Sequence, residues 1–137
     1  MKFRSIKDED VDQVIALWTA CELTRAWNDP YHDIQFARVS ATSTVLVGLY
    51  EDQVVASVIA GHDGHRGGLY YLAVHPAFQR QGYGRMAHEA AVEWLQQRGV
   101  WKINLMVRAE NAGVGGFYKS LGYELNPVLS FGKRIDG

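Results

Sequence analysis

Hydrophobic and polar positions change period several times along the chain, and each change marks an element. Phe3 to Ile6 reads as a short strand, and Val11, Val14, Ile15, Trp18 and Cys21 then follow the spacing of one helix face. Asp8, Glu9 and Asp10 precede that helix, where acidic groups suit the helix dipole. Thr24 to Pro30 reads as a turn, because Asn28-Asp29-Pro30 disfavours helix before the proline. A second helix is predicted from Pro30 or Tyr31 to about Ser40, with the proline in its first turn.

Thr44 to Tyr50 and Val54 to Ala60 are β-branched and apolar, so they read as strands joined by a turn at Glu51-Asp52-Gln53. His62 to Gly68 is polar and glycine-rich and reads as a loop. Leu69 to Val74 is the next strand, stopped by Pro76. From Gly84 to Arg98, Met86, Ala87, Ala90, Ala91, Trp94 and Leu95 share one helix face, and Gly99 ends it. Lys102 to Val107 then reads as a strand, Asn111 to Leu121 as a short helix, and Tyr123 to about Ile135 as an extended hairpin. Asp136-Gly137 reads as a frayed end. The order βααβββαβαββ predicts an α+β fold with a mixed sheet, in which Leu69 to Val107 is a right-handed crossover between parallel strands.

With 137 residues, 47% of them hydrophobic and 21% charged, one soluble domain with its own core is expected over 1–137. The formal charge of −1 gives no basis for binding nucleic acid. No apolar run is long enough for a membrane helix, and the N-terminus lacks the apolar stretch of a signal peptide. The single cysteine, Cys21, suits a reducing, cytoplasmic setting.

Two stretches carry chemistry. Gln79-Arg80-Gln81-Gly82-Tyr83-Gly84 lies between a strand and a long helix. The first amides of a helix have no internal partner and face the positive end of its dipole, so they suit a phosphate. Gly82 and Gly84 remove side chains that would hold a diphosphate away, and Arg80 and Arg85 add charge. A Walker A loop is absent, and a dinucleotide-binding turn would need a third glycine near the start of a βαβ unit. The second stretch runs from Asn111 to Tyr123. Gly113, Gly115 and Gly116 each cost a helix about 1 kcal/mol relative to alanine, so packing or a ligand is expected to hold it. Asn111 is a natural N-cap, and Tyr118 lies two helical turns further on.

Gln79-x-x-Gly82-x-Gly84 after a strand ending Leu72-Ala73-Val74-His75-Pro76, followed by Asn111 and Phe117-Tyr118-x-x-Leu121-Gly122-Tyr123, resembles the GNAT (Gcn5-related N-acetyltransferase) superfamily. Trp27-Asn28-Asp29-Pro30, Asp63-Gly64-His65-Arg66-Gly67 and Ser130-Phe131-Gly132-Lys133-Arg134 are similar to the small bacterial YpeA-type branch. The resemblance implies a mostly antiparallel, twisted sheet of about six to seven strands flanked by about four helices. It also implies acetyl-CoA as cosubstrate and direct attack of an amine on the thioester. In that scheme Leu72, Ala73 and Val74 hold the pantetheine arm through their backbone. Amides from Arg80 through Gln81, Gly82, Tyr83 and Gly84 to Arg85 bind the pyrophosphate, with Gln79 opening the motif. Asn111 bonds the cofactor arm, and Tyr118 lies beside the sulfur as general acid.

The general base does not transfer, because some relatives carry glutamate where this chain has Met106. Asp63, His62, His65, Asp29, His32 and a water chain all stay open for that role. Trp27 and Tyr31 are candidates for the acceptor pocket or for packing. The glycines around His62, Asp63 and His65 argue against a metal site there. A non-catalytic acetyl-CoA-binding module is the alternative reading. The acceptor is unread, and exposed edge strands near the C-terminus would permit a homodimer.

Overall fold

A computed structural model describes residues 1–136, the side chains of Glu110 and Ala112 excepted. Gly137, half of the expected frayed end, lies outside the described residues. The chain divides into two compact units, Met1–Leu105 and Met106–Gly137.

The first unit is built on an antiparallel sheet in the order β1-β2-β3-β4, with β1 Lys2–Ser5, β2 Ser43–Tyr50, β3 Gln53–His62 and β4 Gly67–Val74. Helices α1 (Val11–Ala20) and α2 (Pro30–Val39) connect β1 to β2, and α3 (Tyr83–Gln96) follows β4. Period-two alternation sorts the sheet residues onto two faces. Val45, Val47 and Ile59 pack with Val14, Leu17, Trp18 and Ile34 of α1 and α2, whereas Leu46, Val58 and Leu69 pack with Ala87, Ala91 and Leu95 of α3. The sheet thus has α1 and α2 on one face and α3 on the other.

The local signals explain the boundaries. Asp29 caps α2 by accepting from the Tyr31 amide at 3.0 Å, with Pro30 in the first turn. Asp10 accepts from the Lys7 amide at 2.8 Å and pairs with Arg4, fastening the start of α1 to β1. Tyr50 pairs with Gln53 across a two-residue turn in which Glu51 and Asp52 both have positive φ, 49° and 64°. Hairpin turns of this hand match the twist of the flanking strands. The loop predicted over His62–Gly68 shrinks to residues 63–66, because β3 and β4 pair as far as His62 and Gly67. Asp63 closes it by accepting from the His65 and Arg66 amides, each at 2.8 Å.

The expected six to seven strands are corrected to four among the described residues. In place of a strand over Lys102–Val107 there is one isolated parallel bridge between Ile103 and Gly67. It is closed by the Gly67 amide on the Lys102 carbonyl (2.9 Å) and the Asn104 amide on the Gly67 carbonyl (3.0 Å). Ile103 and Leu105 still pack on the Leu95 cluster. The apolar residues of this segment therefore serve side-chain packing, while one bridge is its only ladder contact among the described residues.

In the second unit, α4 (Ala112–Ser120) follows a 3-10 turn at Ala109–Asn111. No strand forms beyond it among the described residues, so the hairpin expected from Tyr123 to Ile135 is a second correction. Pro127 has no amide to offer a ladder, and the Val128 amide bonds locally to the Asn126 carbonyl at 2.9 Å. Leu125, Val128, Leu129, Phe131 and Ile135 are all exposed. The edge strands that motivated a homodimer are absent with them. The observed order is βααβββαα.

Candidate active site

β4 is not a regular strand. Ser57 pairs with Ala73 and Ile59 with Tyr70, so Val58 of β3 faces both Tyr71 and Leu72. That is a bulge, and Tyr71 occupies it with φ of +52°. For a non-glycine residue this conformation costs about 1–2 kcal/mol, so its surroundings must hold it. The Tyr71 ring stacks on Trp18 with centroids 3.8 Å apart and 9° between planes. Its carbonyl accepts from the Ser57 hydroxyl at 3.0 Å, and its own hydroxyl donates to Asp33 Oδ2 at 2.7 Å. Burial, followed by the Asp33 hydrogen bond and charge, pushes the Tyr71 phenol up to about 12.

Leu72, Ala73 and Val74 run from this bulge to the end of the sheet. The Val74 carbonyl accepts from the Cys21 thiol at 3.2 Å and from Gln79 Nε2 at 3.0 Å. Gln79, expected at the phosphate turn, thus ties that turn back to the strand through its side chain. The Cys21 thiol is raised by burial, which keeps it a neutral donor. A 3-10 turn over Pro76–Phe78 follows, capped by His75 Nδ1 on the Ala77 amide at 3.1 Å.

The chain then turns sharply. Arg80 has φ of +64° and Gly82, the N-cap of α3, has φ of +86°. The first bond of the helix runs from the Met86 amide to the Gly82 carbonyl at 3.1 Å. Tyr83, Gly84 and Arg85 therefore stand ahead of the ladder, with amides at the positive end of a fourteen-residue helix. A Cβ added at Gly82 would meet nothing within 4 Å. Gln79, Arg80, Gln81, Gly82 and Arg85 are exposed. An open, donor-rich turn with an adjoining guanidinium fits a diphosphate.

In the second unit Asn111 occupies the N-cap of α4, but its side chain makes no capping bond. Tyr118 is half-buried, edge-on to Phe117 (5.1 Å) and Tyr123 (5.6 Å), and burial raises its phenol above the usual value. Tyr123 is pushed to about 12 by burial and then by Tyr118. Gly113, Gly115 and Gly116 each have nothing within 4 Å of an added Cβ. Within the second unit, packing therefore does not account for these glycines.

A scan of family models matches residues 11–123 to the Acetyltransferase (GNAT) family. The chain belongs to the GNAT acetyltransferase family. Acetyl-CoA is the cosubstrate of this family, and the Gly82 turn fits its diphosphate on the geometry above. Among solved structures this GNAT chain is similar to the aminoglycoside 6′-N-acetyltransferase of Acinetobacter haemolyticus, at 18% identity over 99% of this chain and 100% of that one, TM-score 0.77. It is similar to AAC(6′)-Iy in complex with the bisubstrate analogue CoA-S-monomethyl-acetylneamine, at 15% identity over 98% of each chain, TM-score 0.82. It is also similar to the ribosomal-protein-S18-alanine N-acetyltransferase of Escherichia coli, at 25% identity over 88% of this chain and 76% of that one, TM-score 0.74.

The base candidates separate. β4 rises about 3.3 Å per residue, so His62, Asp63 and His65 lie at the hairpin end of β4, on the order of 20 Å from Val74. Hydrogen bonds from the Arg66 and His65 amides hold the Asp63 carboxyl below its usual range, which suits a turn rather than a base. Asp29 caps α2, and His32 lies edge-on to Phe36 at 5.8 Å. Trp27 and Tyr31 are exposed, and the Tyr31 hydroxyl donates to Asp12 at 2.5 Å. Met106 is exposed and accepts from the Ser130 hydroxyl at 3.1 Å. Sequence reading missed the contacts of Tyr71 with Trp18, Ser57 and Asp33. The side chains are 14 to 53 positions from their partners in chain order, and no local pattern joins them. Among the described residues no three His, Cys, Asp or Glu side chains converge as a metal site, and no helix is long and apolar enough to cross a membrane.

Proposed function

We propose that the chain is an acetyl-CoA-dependent N-acetyltransferase that moves an acetyl group onto a primary amine by direct attack, with residues 1–137 acting as one domain. The observation that carries this reading is the turn at Arg80–Gly82 ahead of α3, in a chain whose family uses acetyl-CoA. In the proposed arrangement the amides of Arg80 to Arg85 take the diphosphate and Asn111 bonds the arm. Leu72, Ala73 and Val74 align the pantetheine, and an amide of Ala73 or Val74 donates to the oxygen that gains charge. As the amine nitrogen bonds to the carbonyl carbon, the carbon–sulfur bond breaks and the Tyr118 hydroxyl gives its proton to the leaving sulfur. A phenol raised by burial is fully protonated at neutral pH, as an acid must be. The amine's own proton passes to water in this scheme, since Met106 accepts none. The likeness to YpeA-type enzymes and a cytoplasmic setting belong to the same proposal.

The test is thiol release from acetyl-CoA across a panel of peptides, amino acids, polyamines and aminoglycosides, run beside thermal shift. The expected result is a raised Tm with acetyl-CoA and turnover on at least one amine. A raised Tm with no turnover on the panel would favour the binding-module alternative, and no rise at saturating acetyl-CoA would overturn both.

A further inference from the structure

The carboxylates on the α1–α2 side of the sheet are neutralised unequally. Asp10 is paired with Arg4 at 2.6 Å and Asp8 with Arg38 at 2.7 Å. Asp33, half-buried on α2, has no ion pair among the described residues, and its side chain accepts only from the neutral Tyr71 phenol. Arg25 lies near enough to influence Tyr71, yet its Nη1 is turned to the Glu22 and Thr24 carbonyls at 2.8 and 3.0 Å. The Tyr71 hydroxyl proton is thus directed to Asp33. Asp29 lies one turn before Asp33, on the same face of α2.

We propose that Asp33, oriented by Tyr71 at the β4 bulge, seats a cationic group of the acceptor other than the amine that reacts, so that the preferred acceptors carry two or more positive charges. This rests on the N-acetyltransferase reading above.

Two observations argue for it. Tyr71 immediately precedes Leu72 in β4 and its hydroxyl holds Asp33, so a single side chain ties the carboxylate to the strand that carries the segment assigned to the thioester. A carboxylate next to an amine favours the ammonium form, which cannot attack a carbonyl. Asp33 is therefore suited to a charge that stays on the acceptor and unsuited to the nucleophile. A carboxylate partly withdrawn from water and without an ion pair among the described residues is suited electrostatically to a cation brought by a ligand.

The experiment compares a linear diamine with the monoamine of equal length, using purified full-length protein and Asp33→Asn. The wild type is expected to favour the diamine at least 10-fold in kcat/KM. Asp33→Asn should raise KM for the diamine about 10-fold, with the monoamine constants, the KM for acetyl-CoA and the acetyl-CoA-induced rise in Tm within twofold of wild type. Tyr71→Phe, which keeps the stacked ring and removes the hydrogen bond, should lose part of the preference, and Asp33→Glu should recover part of it. Equal loss on both amines would make Asp33 a structural tie between α2 and β4, and retention of the diamine preference by Asp33→Asn would remove it from recognition. Either result overturns the proposal while leaving the transferase reading intact. Absence of turnover by the wild type on every amine overturns both. If Asp33→Asn does not fold, the Tyr71→Phe preference decides: an unchanged diamine to monoamine ratio counts against the seat.

Discussion

Trp18 and Tyr71 stack face to face at 3.8 Å, and the same two residues meet again through Ser57. The Trp18 indole donates to the Ser57 hydroxyl at 2.8 Å, and that hydroxyl donates to the Tyr71 carbonyl at 3.0 Å. Trp18 and Ser57 are fully buried. The bulge of β4 is thus held from its ring and from its backbone at once.

Ser57→Ala would leave the indole N–H and the Tyr71 carbonyl without this partner in a dry core. Stranding a buried polar group costs about 1–3 kcal/mol. The expected result is a lowered urea midpoint with an unchanged m-value. In a Trp18→Phe background the indole donor is already gone, so Ser57→Ala should cost about 1 kcal/mol less there. Equal costs in both backgrounds would mean that the indole hydrogen bond contributes nothing.

Asp10 gives the fold a pH dependence in acid. Its carboxyl is held below the usual value of 3.8, first by the hydrogen bond from Arg4, which outweighs desolvation, and further by the Lys7 amide. Its contribution is complete above 3.8 and is lost as pH falls through the lower folded value. At pH 7, Asp10→Asn should destabilise by about 1–3 kcal/mol, because a charge-assisted pair and a cap are weakened. The gap between wild type and variant in urea midpoint should close progressively as pH is lowered below 3.8, and a gap of constant size would show that the charge of Asp10 is not what matters.

Much of the first unit was legible in the sequence because its signals are local. Pro30 and Gly99 mark helix ends, and Thr44 to Tyr50 is a β-branched, apolar run. The proposed cofactor turn was legible for the same reason, since Gln79 to Gly84 is one continuous stretch of sequence. The bulge was not, because only the register of β3 reveals that Tyr71 and Leu72 share Val58 as their opposite residue. Asp33 was passed over in favour of Asp29 and His32 because its meaning comes from Tyr71, 38 positions away. Lys102 to Val107 shows the converse failure. Ile103 and Leu105 pack on the core, but facing a core does not supply a hydrogen-bonding neighbour.

Gly82 and Gly99 make a matched pair at the two ends of α3. Their φ values are +86° and +84°, and an added Cβ meets nothing within 4 Å at either. Alanine at either position should therefore destabilise by about 1–2 kcal/mol through backbone strain alone. Only Gly82→Ala should also reduce the acetyl-CoA-induced rise in Tm, since its Cβ enters the space assigned to the diphosphate. If the two variants respond to acetyl-CoA alike, the turn at Gly82 does not hold the cofactor.

Tyr118 carries the chemical claim that is easiest to isolate. Burial raises its phenol, so the residue remains protonated at neutral pH, and Phe117 and Tyr123 fix its ring edge-on. Tyr118→Phe keeps that aromatic packing and deletes only the hydroxyl. General acid catalysis contributes about 10²–10⁴-fold, so kcat should fall by about that factor while the acetyl-CoA-induced Tm shift stays near wild type. The loss should be smaller with an acetyl thioester of a more acidic thiol, whose leaving sulfur needs less protonation. A kcat within twofold of wild type would place Tyr118 in the packing of α4 and leave the sulfur to be protonated by water.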